Sequence, residues 1–259
     1  MKAISSRDNE QYKAIKRLVS KSSERRERGV CVLDGTHLLA ACLDSGLRPE
    51  EIYVSRTGLG REEIARLAAR SKVEPVVLPD PLYDALSTVE SPTGVIAIVR
   101  TPAGKVVPPD ADLVLVLEDI QDPGNVGTLL RSAAAAGAGH VLLSRTCAFA
   151  WSPKVLRAAM GAHFALNLLE GADIAAWLER FEGQSIALDG SAKKSLYDLE
   201  LRGKTALLVG NEGAGLSPGL RDAASVRAKI PISKRMESLN AAAAGTVALF
   251  EAARQRAVK

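Results

Sequence analysis

The stretch Leu113-Val114-Leu115-Val116-Leu117-Glu118-Asp119-Ile120-Gln121-Asp122-Pro123-Gly124-Asn125-Val126-Gly127-Thr128-Leu129-Leu130-Arg131 decides the fold. Five uninterrupted aliphatic residues make a strand buried on both faces, as parallel sheets require. A polar loop follows, turning at Pro123-Gly124, and helical spacing then runs from Val126 to Ala136. Strand, loop and helix in this order are one step of an α/β fold, which places ligands at the carboxyl ends of its strands. In this reading Asn125 caps the helix. Arg131 leans back toward the helix start, over Gly127 and Thr128, where a guanidinium can clamp a phosphate. Taken alone, the loop reads equally as a helix cap with a surface arginine.

Downstream the same rhythm recurs. Val141-Leu142-Leu143, Ile186-Ala187-Leu188 and Ala206-Leu207-Leu208-Val209 read as strands, and Ile174 to Phe181 as a helix. After the last of these strands comes Gly210-Asn211-Glu212-Gly213-Ala214-Gly215-Leu216-Ser217-Pro218. Its three glycines permit close backbone approach, and Ser217 with Pro218 starts a helix. The order is not the dinucleotide GxGxxG and carries no GK[ST]. Glu212 repels phosphate and suits a ligand bearing a cation or hydroxyls. A third loop, Ile230-Pro231-Ile232-Ser233-Lys234-Arg235-Met236-Glu237-Ser238-Leu239-Asn240, leads into an Ala-rich helix from Leu239 to about Arg254. Ser238 is its expected cap, with Asn240 in the first turn, where spare N–H donors lie. The run Ala241 to Gly245 leaves a thin face for another backbone.

Upstream, Gly29 to Gly35, Ile52 to Val54, Val76 to Leu78 and Gly94 to Val99 read as strands of a separate α/β domain. Thr36 is the expected cap of the helix that follows the first. Arg61 to Arg70 and Pro81 to Leu86 have helical spacing. The Pro/Gly-rich run from Thr101 to Pro109 suits a linker. The expected organisation is a basic N-terminal arm over 1–29, a small α/β domain over 30–101, a linker over 102–111 and a larger α/β domain over 112–259. The first thirty residues hold nine Lys/Arg against four Asp/Glu, a net +5 in a chain of formal charge +4. A basic arm on a near-neutral body points to a polyanion such as nucleic acid; its other reading is a solvated helix. Cys31, Cys42 and Cys147 form no CxxC, which favours a reducing, cytoplasmic setting. His37, His140 and His163 lie far apart, against a dedicated metal site. Apolar runs are far short of the ~20 residues of a membrane span. With 4% aromatic residues, Trp151 and Trp177 read as core anchors. Trp151 to Arg157 retains a second reading, lining an RNA surface through Lys154 and Arg157.

Together the three loops resemble, in order, the three signature motifs of the SpoU or TrmH-type RNA 2′-O-methyltransferases of the SPOUT superfamily. Asp122 to Gly127 with Arg131 is similar to the first motif. Val209 to Gly213 with Leu216-Ser217 is similar to the second, and Ile230-Pro231-Ile232 with Ser238-Leu239-Asn240 to the third. Val32 to Leu39 and Leu86 to Gly94 resemble, more weakly, the family's L30e-like substrate-binding domain. The resemblance implies a C-terminal SPOUT α/β domain with a deep trefoil knot, a feature that local pattern would not suggest because knots are rare. It implies S-adenosylmethionine as cofactor, held against the backbone at Gly210, Ile230 and Leu239. It assigns catalysis to Arg131, Asn125, Glu212, Ser238 and Asn240, and no metal. It also implies RNA as substrate, ribosomal RNA ahead of transfer RNA, and a homodimer. The base stays open between Arg131, Glu212 and water, since a guanidinium is effectively always protonated. The alternatives are a transfer RNA 2′-O-methyltransferase, a Rossmann-type methyltransferase, whose glycine loop belongs after the first strand, and a non-catalytic RNA-binding protein.

Overall fold

The computed structural model describes residues 2–89 and 91–257. The chain divides into two compact units. One comprises the residues up to Pro102 together with Trp151–Phe164, and the other Ala103–Ala150 together with the residues from Ala165 onward.

The first unit begins with β1 (Lys2–Ala3), α1 (Glu10–Ser20), α2 (Ser22–Arg28), β2 (Val30–Asp34) and α3 (Thr36–Asp44). It continues through β3 (Pro49–Ser55), α4 (Arg56–Leu59), α5 (Glu62–Ser71), β4 (Val76–Leu78), α6 (Asp80–Asp84) and β5 (Val95–Arg100). The strands form a mixed sheet in the order β1-β4-β3-β5-β2. The basic N-terminal segment, expected as an arm, is built into this unit. Asn9 caps α1 by accepting from the N–H groups of Gln11 and Tyr12, and Tyr12, Ile15 and Leu18 put one helical face into the core. The charged residues between them stay outside because the period of the apolar positions is helical. Arg25 is only 5% exposed; its Nη1 donates to the carbonyls of Leu18 and Val19. That cation caps the end of α1, which leaves it unable to meet a polyanion. Thr36 does not cap α3: Gly35 holds that position, without a side-chain bond.

The second unit contains β6 (Leu113–Leu117), α7 (Pro123–Ala135) and β7 (His140–Leu143). The chain next forms α8 (Pro153–Ala159), which belongs to the first unit, and returns through β8 (Asn167–Glu170), α9 (Ile174–Leu178), β9 (Gln184–Leu188) and β10 (Lys194–Ser195). β11 (Thr205–Val209), α10 (Pro218–Ala223), β12 (Val226–Lys229) and α11 (Ala241–Ala257) complete it. Its sheet has the order β10-β12-β9-β11-β6-β7-β8, and every pairing is parallel. β6 and β11 are central neighbours, in register from Leu113 opposite Thr205 to Leu117 opposite Val209. All five residues of each are buried, so the loops leaving their carboxyl ends start side by side. Within the stretch expected as a linker, Val107 is 1% exposed and part of this unit's core, and its carbonyl accepts from the indole of Trp177.

The thin face of α11 is spent inside the unit. A Cβ on Gly245 would lie 2.3 Å from Leu129 Cδ2 and 3.2 Å from Val209 Cγ2, so α11 lies close on α7 and β11. α8 buries Val155, Leu156 and Ala159. Arg157 on it donates to the carbonyl and hydroxyl of Thr88, whose own N–H and hydroxyl are donated to Asp34. Nη1 of Arg157 is thus engaged within the first unit, while Lys154 on the same helix is exposed.

Candidate cofactor cleft and catalytic rim

Loops from the carboxyl ends of β6, β11 and β12 converge. Asp122, not Asn125, caps α7: its Oδ1 accepts from the Asn125 N–H at 2.8 Å. The helix therefore starts at Pro123, three residues before its expected start, and the Asn125 side chain is released for other work. Its Nδ2 donates to Glu212 Oε1 at 2.8 Å, and its Oδ1 accepts from Asn240 Nδ2 at 3.0 Å. Asn240 is in turn the residue that caps α11, its Oδ1 accepting from the Ala243 N–H at 3.1 Å. Ser238, expected as that cap, lies in the loop before it and lines a cleft. One hydrogen-bonded chain thus joins Asn240, Asn125 and Glu212, each from a different loop. The partners settle the Asn125 amide, since nitrogen must face the carboxylate and oxygen the amide donor.

Glu212 accepts a further, longer bond from the Asp122 N–H. Burial pushes its carboxyl up, but the Asn125 amide and the surrounding backbone N–H groups outweigh this and hold it below the ordinary carboxylate range. Hydrogen bonds to the charged form act in that direction. Glu212 is therefore ionised near neutral pH and a weak proton acceptor.

The cleft holds about 570 Å³, within the range of small-ligand sites. Gly210, Ile230, Ser238 and Leu239 all line it. So do Asp189, Glu212 and Glu237, set against Lys229 and Lys234. Ile232, Ala241 and Ala244 supply apolar wall. Space, a mixed charged and apolar lining and loop backbone fit S-adenosylmethionine, which carries a sulfonium, a carboxylate and an adenine. Gly210 has a different reason from the one expected: a Cβ there would meet Leu216 N at 2.2 Å and Gly215 C at 2.3 Å. It is glycine so that its own loop can close.

Arg131 stands apart. It is exposed on the outer stripe of α7 with Gly124 and Thr128, does not line the cleft, and has no hydrogen-bond or ion-pair partner among the described residues. Two polar residues near the site went unnoticed in the sequence. Asp189 lines the cleft and is gripped by Ser191 and by two nitrogens of Arg227; its only local sign is an Asp-Gly pair after a strand. Asp119 holds a left-handed backbone, φ 55°, and no local pattern marked it.

Comparison with known proteins places these features. Residues 112–250 match the SpoU rRNA Methylase family, and residues 9–97 match an MRM3-like substrate binding domain. An uncharacterised tRNA/rRNA methyltransferase of Synechocystis is 34% identical over 98% of this chain and 94% of its own. The 23S rRNA (guanosine(2553)-2′-O)-methyltransferase RlmP of Bacillus subtilis is 28% identical, over 96% and 98%. The crystal structure of the SpoU methyltransferase AviRb from Streptomyces viridochromogenes, in complex with AdoMet, superposes with a TM-score of 0.85 at 26% identity, covering 97% of this chain and all of that one. With the second and third motif loops lining one cleft, the first joined to both by hydrogen bonds, and matches that span both units, the chain belongs to the SpoU rRNA methylase family.

Proposed function

We propose that the chain transfers a methyl group from S-adenosylmethionine to a ribose 2′-hydroxyl of ribosomal RNA. The observation that carries this reading is the Asn240–Asn125–Glu212 chain at the edge of the cleft. It gathers three of the five expected catalytic residues, from three loops far apart in sequence. When bound, the cofactor supplies an electrophilic methyl on a sulfonium. Gly210, Ile230 and Leu239 hold it through the loop backbone. Glu212 fixes Asn125, whose second Nδ2 hydrogen is left for a ribose oxygen. Arg131, without a partner among the described residues, takes an RNA phosphate and offsets negative charge on the attacking oxygen. Ser238 orients the ribose from the cleft wall. As the Glu212 carboxylate is held below the ordinary range and is a weak proton acceptor, and a guanidinium has no proton-accepting form to offer, the hydroxyl proton leaves to water.

The mixed sheet of the first unit, with the basic faces of α1 and α2, recruits the RNA as an L30e-like domain. The long loop between β12 and α11 is where a SPOUT trefoil knot would pass. A homodimer is proposed through the outer face of α11, where Phe250 is 48% exposed; the Ala241 to Gly245 face, already packed internally, is not part of it. The three cysteines are unpaired, in keeping with a cytoplasmic setting. No helix among the described residues is long and apolar enough to cross a membrane.

The test is incubation of the protein with methyl-labelled cofactor and either ribosomal or transfer RNA. Label should enter ribosomal RNA and make one phosphodiester resistant to alkaline cleavage, which needs a free 2′-hydroxyl. Label in transfer RNA alone moves the substrate. RNA binding without any label makes the protein a non-catalytic binder, and label on a base refutes ribose chemistry.

A further inference from the structure

We propose that Asp119 is a positioning residue: it fixes the separation of the loops that carry Asn125 and Glu212, through a second bridge made to Asn211. The proposal rests on the reading of Asn125 and Glu212 as catalytic.

Three non-glycine residues have positive φ among those described: Lys72, Asp119 and Met160. Lys72 and Met160 end helices, where a left-handed residue is ordinary. Asp119 ends no helix. It follows Glu118, whose N–H still donates to the Val209 carbonyl as an extension of the β6–β11 ladder. A left-handed L-residue costs about 1–2 kcal/mol, though Asp and Asn are tolerated best. What the turn achieves is visible in its bonds. The Asp119 N–H donates to Ser144 Oγ at 3.0 Å. Its carbonyl and its Oδ2 both accept from Asn211 Nδ2, at 2.9 and 3.1 Å. Its Oδ1 accepts from Gln121 Nε2 at 3.0 Å. One residue therefore ties together the loops that follow β6, β7 and β11.

Asn211 passes this on rigidly. Its Oδ1 accepts from the N–H groups of Gly213 and Ala214, and its backbone pairs in both directions with Gly215. Glu212 lies inside that small ring. The β6 and β11 loops are thus pinned twice, by Asp119–Asn211 near the strands and by Asn125–Glu212 farther along. One bridge would leave a hinge, whereas two fix the angle between the loops. Asp119 does not line the cleft, so it acts through Asn211 and touches neither cofactor nor ribose. Positional errors of ~1 Å at reacting groups can cost about a hundredfold in rate, which sets the scale for losing the inner bridge.

The experiment uses the full chain, with single-turnover methylation of ribosomal RNA at saturating cofactor, and cofactor affinity by calorimetry. Asp119→Gly keeps the backbone conformation and the carbonyl's bond to Asn211 but deletes the carboxylate's bonds to Asn211 and Gln121; it should slow methyl transfer by about tenfold, leaving the cofactor Kd within about threefold. Asp119→Asn keeps an acceptor oxygen and the left-handed turn, and should recover to within about fivefold of the parent. Combined with Asn125→Ala, Asp119→Gly should add less than about twofold, because both act through one geometry. If Asp119→Gly does not fold, Ser144→Ala removes the acceptor for the Asp119 N–H, along with bonds to Thr146 and Cys147 in its own loop, and should slow transfer by about three- to tenfold with unchanged cofactor Kd. Parent-like rates in Asp119→Gly or, failing its folding, in Ser144→Ala overturn the proposal, as do equal losses in the Gly and Asn variants or a multiplicative effect with Asn125→Ala. An Asn125→Ala single variant that turns over normally defeats the underlying reading of the site instead.

Discussion

The glycines of the 210–215 loop allow a sharp test of why that loop is glycine-rich. If glycine is there only to expose backbone, then Gly213 and Gly215, both more exposed than the cleft-lining Gly210, should matter most. If it is there for loop closure, Gly210 should. A Cβ at Gly210 would sit 2.2 Å from a backbone nitrogen, 2.3 Å from a backbone carbon and 2.5 Å from a carbonyl oxygen. None of these atoms can rotate away as a side chain would. Relief needs a shift of roughly 1 Å in the Gly215–Leu216 backbone, and overpacking of this kind costs about 1–3 kcal/mol. Drawn from the cofactor-binding conformation, that is about a 5- to 150-fold loss of affinity for Gly210→Ala. At Gly213 the nearest atom to a new Cβ is Asn211 Oδ1 at 3.6 Å, an ordinary contact, and Gly213→Ala should bind within about threefold of the parent. Gly215 has φ +71° and open space around it, so alanine there suffers only left-handed strain, about 1 kcal/mol or fivefold. Calorimetric titration of each variant with S-adenosylmethionine, without RNA, reads all three. An order in which Gly213→Ala is the most damaging would refute the loop-closure argument.

Further outcomes follow from other parts of the structure. Arg131→Ala should lower single-turnover methylation by about a hundredfold while cofactor Kd stays unchanged, and Arg131→Lys should recover only part of it, because the ammonium keeps the charge and loses the fork. Glu251 is held at a pKa of about 2, chiefly by its two bonds to Arg254. A depressed carboxylate contributes stability that is complete above the unfolded value near 4.5 and is lost as pH falls through about 2. Because Arg254 is exposed and solvent screens the pair, Glu251→Gln should be less stable than the parent by about 1 kcal/mol at pH 7, a gap that closes between pH 4.5 and 2 in urea titrations. A fragment starting at Ala103 should be poorly soluble and melt early, because α8 would expose Val155, Leu156 and Ala159, each apolar side chain worth about 1–3 kcal/mol of burial; a fragment as stable as the full chain contradicts the assignment of α8 to the first unit.

The elements legible in the sequence were those with a strong local signal. β6 and β11 are runs of aliphatic residues and appear within a residue of their expected bounds. Ser217 caps α10 with Pro218 behind it, as expected. β12 was missed because its Val-Arg-Ala-Lys lacks an apolar run, although it pairs on both sides with β9 and β10. The N-terminal helices were hidden by charge: nine cations outweighed the three apolar positions of α1 that seat it in the core. Of the three misassigned caps, Thr36 gives way to Gly35, while Asn125 and Ser238 sit near residues of the same capping chemistry, Asp122 and Asn240, and nothing local separates such neighbours.

The sequence by itself determined that two parallel strands end in polar loops, that a third polar loop leads into an Ala-rich helix, and which residues those loops carry, because strand burial and helix starts depend on neighbours a few positions away. Only the tertiary structure decided what those residues do to one another. Asn125 meets Glu212 and Asn240 across separations of 87 and 115 residues, and Asp119 meets Asn211 across 92. Such distances are closed by sheet order, which no local pattern encodes. The same holds for α8: its sequence lies between β7 and β8, yet its apolar face packs in the first unit, because an amphipathic helix specifies only that one face be buried, not against which partner.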